Sequence, residues 1–383
     1  MVYMDNAATT QIDPVVLNLM KNKYKNCYGN PSSLHKLGSE AENVIRESRQ
    51  IFAVKLNAHP HEIYFTSGGS EADNMAILSA AYFGEQHGKK HIISSKFEHH
   101  AVLHTLERLR EERGFEITLI DIPADGVIMS GQIAEEIRPD TCLVSIMYAN
   151  NEIGTIQPIE EIGNICMKAG ILFHTDAVQA AGHVRLNVET LNVDYLTMSA
   201  HKFHGPKGVG VLYARQSAPL RSMITGGSQE FGLRAGTENV PAIYGSAIAF
   251  EIANERMFDD TDYILGLRKK LVSIVKSIPG VVVNGHPRHC LPGILSVCFR
   301  DVEGESLLLM LNQREIYASA GSACTAGDLA PSHVLKAMGY SDDLARGALR
   351  LSLSHFNTME DVEQIATFLP GIIEKLRLLS SSN

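Results

Sequence analysis

The sequence YLTMSAHKFHGPKG, residues 195–208, joins a buried strand to a reactive side chain. Residues 195–199 have the apolar pattern of a buried strand, and they run directly into Ala200, His201 and Lys202. A lysine at the end of an apolar strand can be partly desolvated, which lowers the pKa of its amine and frees the amine for Schiff-base chemistry. The alternative is a surface lysine in a turn.

Short apolar runs alternate with helical patterns through the first two thirds of the chain. The runs are residues 63–66, 91–95, 116–121, 142–147, 171–176, 195–199 and 209–213. Several are almost continuously apolar, which is typical of strands buried on both faces of a parallel sheet. Residues 40–56 carry apolar side chains at helical spacing. This alternation predicts an α/β fold with a mostly parallel seven-stranded sheet covered by helices.

The pattern changes after about residue 255. Residues 263–278 form an apolar helical stripe, which Pro279 and Gly280 end. The short runs that follow are residues 281–284, 293–299, 316–319 and 349–354, mixed with further helices. The sequence therefore predicts a large domain over residues 15–255. It predicts a smaller α+β domain formed by residues 1–14 and 256–383.

Two further strand ends carry groups that suit a ligand, because ligands of an open parallel sheet bind at the carboxyl ends of its strands. Residues 63–66 run into the sequence SGGSEAD at 67–73, in which Ser70 and Asp73 have the spacing of a capping box. The N–H groups at such a helix N-terminus can bind phosphate. The strand at 171–176 ends in Asp176, which can pair with a cationic ligand. An ordinary helix cap is the alternative at both places.

One cofactor accounts for all three strand ends. Pyridoxal phosphate needs a lysine for its aldehyde, an acid for its pyridine nitrogen and a cradle for its phosphate. Lys202, Asp176 and the Gly-Ser loop at 67–70 supply these three groups in turn. The sequence therefore predicts pyridoxal 5'-phosphate bound as a Schiff base to Lys202.

Composition excludes several other classes of protein. The chain has 383 residues, of which 45% are hydrophobic, so it can bury large cores and is not a disordered chain. Its net charge of −9 argues against direct binding to nucleic acid or to an anionic membrane. No apolar stretch is long enough to span a membrane, and no signal-peptide pattern opens the chain, so we expect a cytoplasmic protein. Its six cysteines include no CxxC pair and its histidine pairs lack a third ligand, so we expect no metal.

Six short motifs occur along the chain. They are YMDNAATT at 3–10, YGNPSS at 28–33, EHHAVL at 98–103, NNEIG at 150–154, GSACT at 321–325 and RLSL at 350–353. In this order, and over nearly the whole chain, they resemble the motifs of the NifS- and IscS-type cysteine desulfurases. Those enzymes belong to the class V aminotransferases, which are fold-type I pyridoxal-phosphate enzymes.

The resemblance implies a role for each matching residue. Lys202 binds the cofactor's aldehyde and Asp176 pairs with its pyridine nitrogen. Gln179 donates to the phenolic oxygen, and His99 stacks on the ring. The remaining matches are Gly69, Ser70, Ser199 and His201 for the phosphate, and Asn151 for the cofactor and substrate. Thr237, in RAGT at 234–237, matches a residue that reaches the phosphate of the neighbouring subunit, which implies a homodimer with shared active sites.

Cys324 differs from the other cysteines in its surroundings. Cys142, Cys166 and Cys298 lie on apolar strand or helix patterns, which is typical of inert core thiols. Cys324 lies in SAGSACTAG, residues 319–327, where small residues make poor core material and can carry an exposed thiol. Composition alone leaves a reactive and an incidental thiol equally open. The resemblance makes Cys324 the nucleophile.

Arg350 lies in an alternating strand pattern at 348–353. It is either a surface arginine on a half-exposed strand or, as the resemblance implies, the clamp for the substrate α-carboxylate. A planar, two-pronged donor is the side chain that best fits a carboxylate.

The resemblance implies that L-cysteine becomes L-alanine and that the sulfur stays as a persulfide on Cys324. Lys202 takes the Cα proton, His99 moves protons, and the Cys324 thiolate attacks the substrate sulfur. The sulfur passes to an acceptor protein, such as an iron–sulfur scaffold or a tRNA-thiolation enzyme. One alternative is a selenocysteine or cysteine-sulfinate-type lyase that does not need Cys324. The other is an inactive paralogue that binds a sulfur acceptor as a scaffold, against which the intact Lys202, Asp176 and Cys324 argue.

Several residues depart from the family pattern. Relatives often carry Ala-Thr where this chain has Gly69 and Ser70; the hydroxyl is kept, so we expect a working phosphate site. Relatives commonly carry Arg where this chain has Phe231, in QEFG at 229–232, which points to a changed dimer-facing rim or loop environment.

Overall fold

A computed structural model describes residues 1–320 and 331–380. Its helices are α1 (Pro14–Asn26), α2 (Lys36–Leu56), α3 (Gly69–Gln86), α4 (His100–Arg113), α5 (Ser130–Glu136), α6 (Ile159–Ala169), α7 (Val188–Leu191), α8 (Val240–Lys276), α9 (Gly304–Asn312), α10 (His333–Ala337), α11 (Asp342–Arg346) and α12 (Met359–Ser380). Its strands are β1 (Val2–Tyr3), β2 (Ile63–Thr66), β3 (His91–Ser95), β4 (Glu116–Ile120), β5 (Thr141–Ser145), β6 (Leu172–Asp176), β7 (Tyr195–Ser199), β8 (Gly210–Ala214), β9 (Val281–Val283), β10 (Ile294–Phe299), β11 (Ile316–Tyr317) and β12 (Ala348–Ser352). None of the helices within these residues is long and apolar enough to cross a membrane.

The central sheet confirms the predicted α/β fold. Within the described residues, seven strands pair in the order β2-β8-β7-β6-β5-β3-β4. The pairs from β7 through β4 are parallel, and β8 is antiparallel to both of its neighbours. The strands begin and end within two residues of the predicted bounds, because continuous apolar runs mark strands that are buried on both faces.

The parallel strands β3, β5, β6 and β7 bring the predicted site together. Because their carboxyl ends meet at one edge of the sheet, the segments that follow them lie side by side. Helix α3 covers this part of the sheet. Small and apolar side chains such as Ala72, Ala76 and Ala80 are buried along most of the length of the helix. The N-terminus of α3 therefore lies over the edge of the sheet that carries the site.

The C-terminal part of the chain forms a second layered region. Strands β12, β10 and β9 pair antiparallel in that order, and β1 pairs with β11. Val2 and Met4 pack into the same hydrophobic cluster as Leu295 and Leu349, so the N-terminal residues join the C-terminal part of the chain. Helix α8 contributes to this cluster and to the core of the large sheet. The predicted division at residue 255 therefore falls inside one continuous helix, and it stays a prediction.

Candidate active site

A cavity of about 300 Å³ opens at the carboxyl ends of the parallel strands. The predicted site residues that line it are Gly69, Ser70, His99, Asn151, Asp176, Gln179, Ser199, His201, Lys202 and Arg350. Thr237 is exposed and is not part of this lining. Cys324 lies outside the residues that the structure describes. The fold therefore collects predicted site residues from six separate segments of sequence into one cavity.

Lys202 follows β7 in a short 3-10 turn and is half-buried, so the surface-lysine alternative is wrong. Its Nζ donates hydrogen bonds to the backbone oxygens of Ala7 and Ala8, both at 2.7 Å. The amide of Gln179 also donates to the Ala7 oxygen, at 2.9 Å. Sequence reasoning gave Ala7 and Ala8 no role, although the motif at 3–10 that contains them was one of the signals of the family resemblance.

Asp176 ends β6 and is only 6% exposed. Its Oδ1 accepts a hydrogen bond from the Val178 N–H at 2.9 Å. Burial raises the pKa of Asp176 to about 7, with a further increase from the charge of Asp73, while the positive charge of Lys202 acts in the opposite direction. A cationic group bound beside Asp176 would therefore favour its ionised form.

The predicted capping box at Ser70 and Asp73 is wrong. Helix α3 begins at Gly69, and its N-cap residue, Gly68, makes no side-chain cap. Asp73 instead turns towards the sheet, where it is 1% exposed, because its position one helical turn after Gly69 lies on the buried face of α3. The first N–H groups of α3 consequently have no side-chain cap from this segment, and they are available to an anion.

Gly69 allows the N-terminus of α3 to approach the neighbouring strand ends closely. A Cβ atom at this position would lie 2.8 Å from Cγ2 of Val178 and 3.6 Å from Cβ of Ser199. Gly69, which departs from the family pattern, therefore lies against Val178. The result is a cradle of helix N–H groups and the Ser199 hydroxyl, which fits a phosphate group.

Two neutral histidines lie at the cavity wall. His99 is the N-cap residue of α4, and its Nδ1 accepts a hydrogen bond from the Ala101 N–H at 3.1 Å. The neutral ring therefore carries its proton on Nε2. Burial, together with the positive charge of Lys202, lowers the pKa of His99 to about 4. The same two causes, with Lys207, lower the pKa of His201 to about 4.

Arg350 lies on β12 and is 2% exposed, so the interpretation as a surface arginine is wrong. Its Nη1 donates to the Asn151 backbone oxygen at 2.8 Å, and its Nη2 donates to Asp5 Oδ1 at 2.9 Å. Its Nε has no hydrogen-bond partner among residues 1–320 and 331–380. The protein thus holds the guanidinium through its two terminal nitrogens. The remaining N–H groups can bind a carboxylate. Sequence reasoning missed Asp5, whose contact with Arg350 spans 345 positions of the chain.

The described residues on either side of the segment that contains Cys324 contact distant parts of the chain. Before it, the backbone of Ser319 pairs with that of Arg350. After it, the Ser332 hydroxyl donates to Glu152, and His333 Nε2 lies 3.0 Å from the Glu98 backbone oxygen. Both flanks are thus tied to residues that line the cavity or adjoin its lining. The thiols of Cys142, Cys166 and Cys298 are buried, as predicted.

Phe231 is 62% exposed and sits in a strained turn. Glu230 and Phe231 both have positive φ, at 46° and 58°. Glu230 is buried and accepts hydrogen bonds from both terminal nitrogens of Arg49, at 2.9 and 2.7 Å. The ring of Phe231 stacks over the Arg49 guanidinium and contacts the edge of Tyr64. In this chain the environment of Phe231 therefore centres on Arg49, and the predicted change relative to the family stays a prediction.

The fold and the cavity together define an α/β enzyme with the architecture of fold-type I pyridoxal-phosphate enzymes. The residues present fit that cofactor, since one cavity holds a lysine amine, a buried acid and an uncapped helix N-terminus beside Gly69. The chain belongs to the family described as aminotransferase class-V, whose model matches residues 2–365. Members of this family depend on pyridoxal phosphate.

Individual relatives give a more specific comparison than the family model does. A protein of Methanosarcina thermophila named cysteine desulfurase IscS is 47% identical over 379 residues, which cover 99% of this chain and 93% of that protein. A solved NifS-like protein superposes with a TM-score of 0.89 at 40% identity, covering all of both chains. The structure of SspA in complex with cysteine gives a TM-score of 0.81 at 37% identity, covering 94% of this chain and all of that one. The predicted resemblance to NifS- and IscS-type cysteine desulfurases is confirmed.

Proposed function

We propose that this protein is a cysteine desulfurase that converts L-cysteine to L-alanine and holds the sulfur as a persulfide on Cys324. The observation that carries the proposal is the single cavity lined by Lys202, Asp176 and Arg350. The names of the relatives support it, as does the similarity to a protein whose structure contains cysteine.

The first residues to act are Lys202 and Asp176. When bound, pyridoxal phosphate supplies an aldehyde for the substrate amine and a ring that stores the electron pair left at Cα. Lys202 would hold that aldehyde through Nζ, and Asp176 would pair with the ring nitrogen. The Lys202 amine, steadied by the oxygens of Ala7 and Ala8, is the base that takes the Cα proton. His99 carries its proton on Nε2, from which it can donate a hydrogen bond to a group bound in the cavity.

Arg350 binds the α-carboxylate of L-cysteine. Asp5 and the Asn151 backbone hold the guanidinium in one orientation and leave Nε and other N–H groups for the substrate. Because the guanidinium is buried, its hydrogen bonds to the carboxylate compete with little water. This contact fixes the amino acid at one end of the cavity, at a site distinct from Lys202.

Cys324 is the acceptor of the sulfur. Its thiolate forms an S–S bond with the substrate sulfur while the substrate C–S bond breaks, and alanine leaves after Cα and Cβ regain protons. The persulfide then passes to an acceptor protein, such as an iron–sulfur scaffold or a tRNA-thiolation enzyme.

The assembly is a cytoplasmic homodimer in which Thr237 serves the phosphate of the neighbouring subunit. The exposure of Thr237, away from the cavity of its own chain, agrees with this role. Size-exclusion chromatography with light scattering tests the dimer. The Thr237→Ala variant should keep the dimer but hold the cofactor less tightly.

Turnover of L-cysteine tests the function. The purified full-length protein, loaded with pyridoxal phosphate and given L-cysteine and a thiol reductant, should release alanine and sulfide in equal amounts. Borohydride reduction and peptide mapping should place the pyridoxyl group on Lys202. A label on Lys207 would contradict the assignment, and the Lys207→Ala variant is the matched control because this residue lies five positions away in the same loop. Turnover of selenocysteine alone would favour the lyase alternative.

A further inference from the structure

Three carboxyl groups are buried at or near the cavity wall, and the proposed reaction uses only one of them. Asp73 is 1% exposed, Glu98 is fully buried and Asp176 is 6% exposed. Asp73 lines the same cavity as Asp176. Among the described residues, Asp73 Oδ1 and Glu98 Oε2 have no hydrogen-bond partner. A buried carboxyl oxygen without a hydrogen-bond partner destabilises the folded protein. The presence of such a group beside Asp176 therefore points to a function.

The topology places Asp73 and Asp176 on the same side of the sheet. His174 and Asp176 are two residues apart on β6, so both side chains point to one face. Thr197 on β7 is the register partner of Asp176 and shares that face. Helix α3 covers this face and carries Asp73, whose Oδ1 lies 3.4 Å from His174 Nε2. The same nitrogen lies 3.2 Å from the Thr197 hydroxyl, which links the group across two strands.

Within residues 1–320 and 331–380, His174 is the only basic side chain paired with Asp73, and it is neutral at neutral pH. Burial raises the pKa of Asp73 to about 7, and a hydrogen bond with Thr197 only partly opposes this rise. Burial lowers the pKa of His174 to about 4, so its imidazole is neutral, and its Nδ1 lies 2.8 Å from the Ser145 hydroxyl. Burial also raises the pKa of Glu98 to about 8, and the two aspartates add to that rise. The charge of Lys202 acts on Asp176 in the opposite direction.

We propose that Asp73 is a positioning residue whose charge sets the pH range in which Asp176 can be ionised and the site can keep its cofactor. The proposal rests on the proposed function, because it assumes that Asp176 pairs with a cationic ring nitrogen. Two carboxyl groups in one low-dielectric site titrate as a pair, since the charge of one opposes ionisation of the other. When Asp73 is protonated, the negative charge is left to Asp176. When Asp73 takes the charge first, Asp176 stays protonated and cannot pair with the ring.

Cofactor retention as a function of pH tests this role without measuring turnover. The full-length protein is loaded with pyridoxal phosphate at pH 8.5 and dialysed against buffers from pH 5 to pH 8.5, and the bound cofactor is then quantified. Retention should fall as the pH is lowered, because protonation of Asp176 removes its charge. In Asp73→Asn the opposing charge is gone, so Asp176 ionises more readily and the midpoint of the loss should move about one unit to lower pH. Asp73→Ser, which also removes the charge, should move the midpoint in the same direction.

The matched control lies on the same helix. Glu85→Gln removes one carboxylate from α3, but the Glu85 side chain lies at the far end of the helix, where it pairs with Lys90 and Arg113, and it is not part of the cavity lining. This variant should leave the midpoint unchanged. An unchanged midpoint in both Asp73 variants, even with weaker binding at every pH, would overturn the role of Asp73 and leave the proposed function intact. A wild-type protein that holds no pyridoxal phosphate at pH 8.5 would instead overturn the proposed function itself.

Discussion

Burial makes the ionisation of the Asp176 carboxyl group depend on a cationic ligand. This carboxyl group has a pKa of about 7 because it is buried beside Asp73, so it is not fully ionised at neutral pH without a cationic partner. The protonated ring nitrogen of bound pyridoxal phosphate would supply that partner. The pairing would then favour the protonated ring, which is the form that withdraws electrons most strongly.

Replacing Asp176 by Asn should keep the shape of the site but remove its charge. Breaking a buried ion pair costs about 3–5 kcal/mol, so the rate of alanine formation should fall at least a hundredfold. Stopped-flow or steady-state assays measure the rate, and the bound cofactor is quantified in the same samples. A near-normal rate with full cofactor occupancy would mean that a different acid contacts the ring.

Arg350 gives a second prediction, on substrate binding. Arg350→Lys keeps the positive charge but loses the planar pair of donors, so the KM for L-cysteine should rise roughly tenfold to a hundredfold, with a smaller change in kcat. Asp5→Asn, which removes one contact that orients the guanidinium, should raise KM in the same direction and by less. Arg346→Lys is the control, because Arg346 is exposed and lies outside the cavity lining. An unchanged KM in Arg350→Lys would place the carboxylate elsewhere.

The proposed phosphate cradle at the N-terminus of α3 depends on the glycine that faces Val178. Placing Ala at position 69 would bring Cβ to 2.8 Å from Val178 Cγ2, and a β-branched side chain has little freedom to move aside. Gly69→Ala should therefore weaken cofactor binding by a factor of roughly 5 to 150, the equivalent of 1–3 kcal/mol of overpacking.

A compensating variant makes this prediction specific. Val178→Ala removes the atom that Cβ would meet, so the Gly69→Ala/Val178→Ala double variant should recover most of the affinity, as measured by fluorescence titration with pyridoxal phosphate. Val178→Ala alone controls for the loss of the valine. Additive losses in the double variant would show that Val178 is not the reason for glycine at this position.

The strained turn at 230–232 depends on the buried pair of Arg49 and Glu230. Glu230→Gln leaves the Arg49 charge buried without its partner, so the free energy of unfolding should fall by about 3–5 kcal/mol. Chemical denaturation followed by circular dichroism measures this loss. Glu112→Gln, which breaks an exposed pair with Arg108, should cost no more than about 0.5 kcal/mol. Equal losses in the two variants would contradict the assigned difference in burial.

The molecule as a whole shows which parts of a site can be read from sequence. Lys202 and Asp176 were predictable because Asp176 ends an apolar strand and Lys202 follows another by three residues, and the end of such a strand marks the ligand edge of a parallel sheet. The sheet was predictable for the same reason. Its strands are continuous apolar runs whose bounds depend on local sequence alone.

Contacts between distant segments were not predictable. Asp5 and Ala7 reach the site because β1 pairs with β11 and carries the N-terminal residues across the cavity, which no local pattern reveals. Asp73 was misread as part of a capping box because its spacing from Ser70 is the same whether it faces solvent or the sheet. Only the packing of α3 on the sheet determines which face is buried.

Capture of the sulfur on Cys324 tests the central claim most directly. One equivalent of L-cysteine is added to the loaded full-length protein without reductant, the mixture is alkylated after a single turnover, and the peptides are mapped by mass spectrometry. The account predicts one additional sulfur atom on Cys324, none on Cys27 or Cys290, and one alanine per site. In Cys324→Ala the cofactor should stay bound and respond spectrally to L-cysteine, while alanine formation falls to background. Near-wild-type alanine formation in Cys324→Ala, with free sulfide as the other product, would contradict the account.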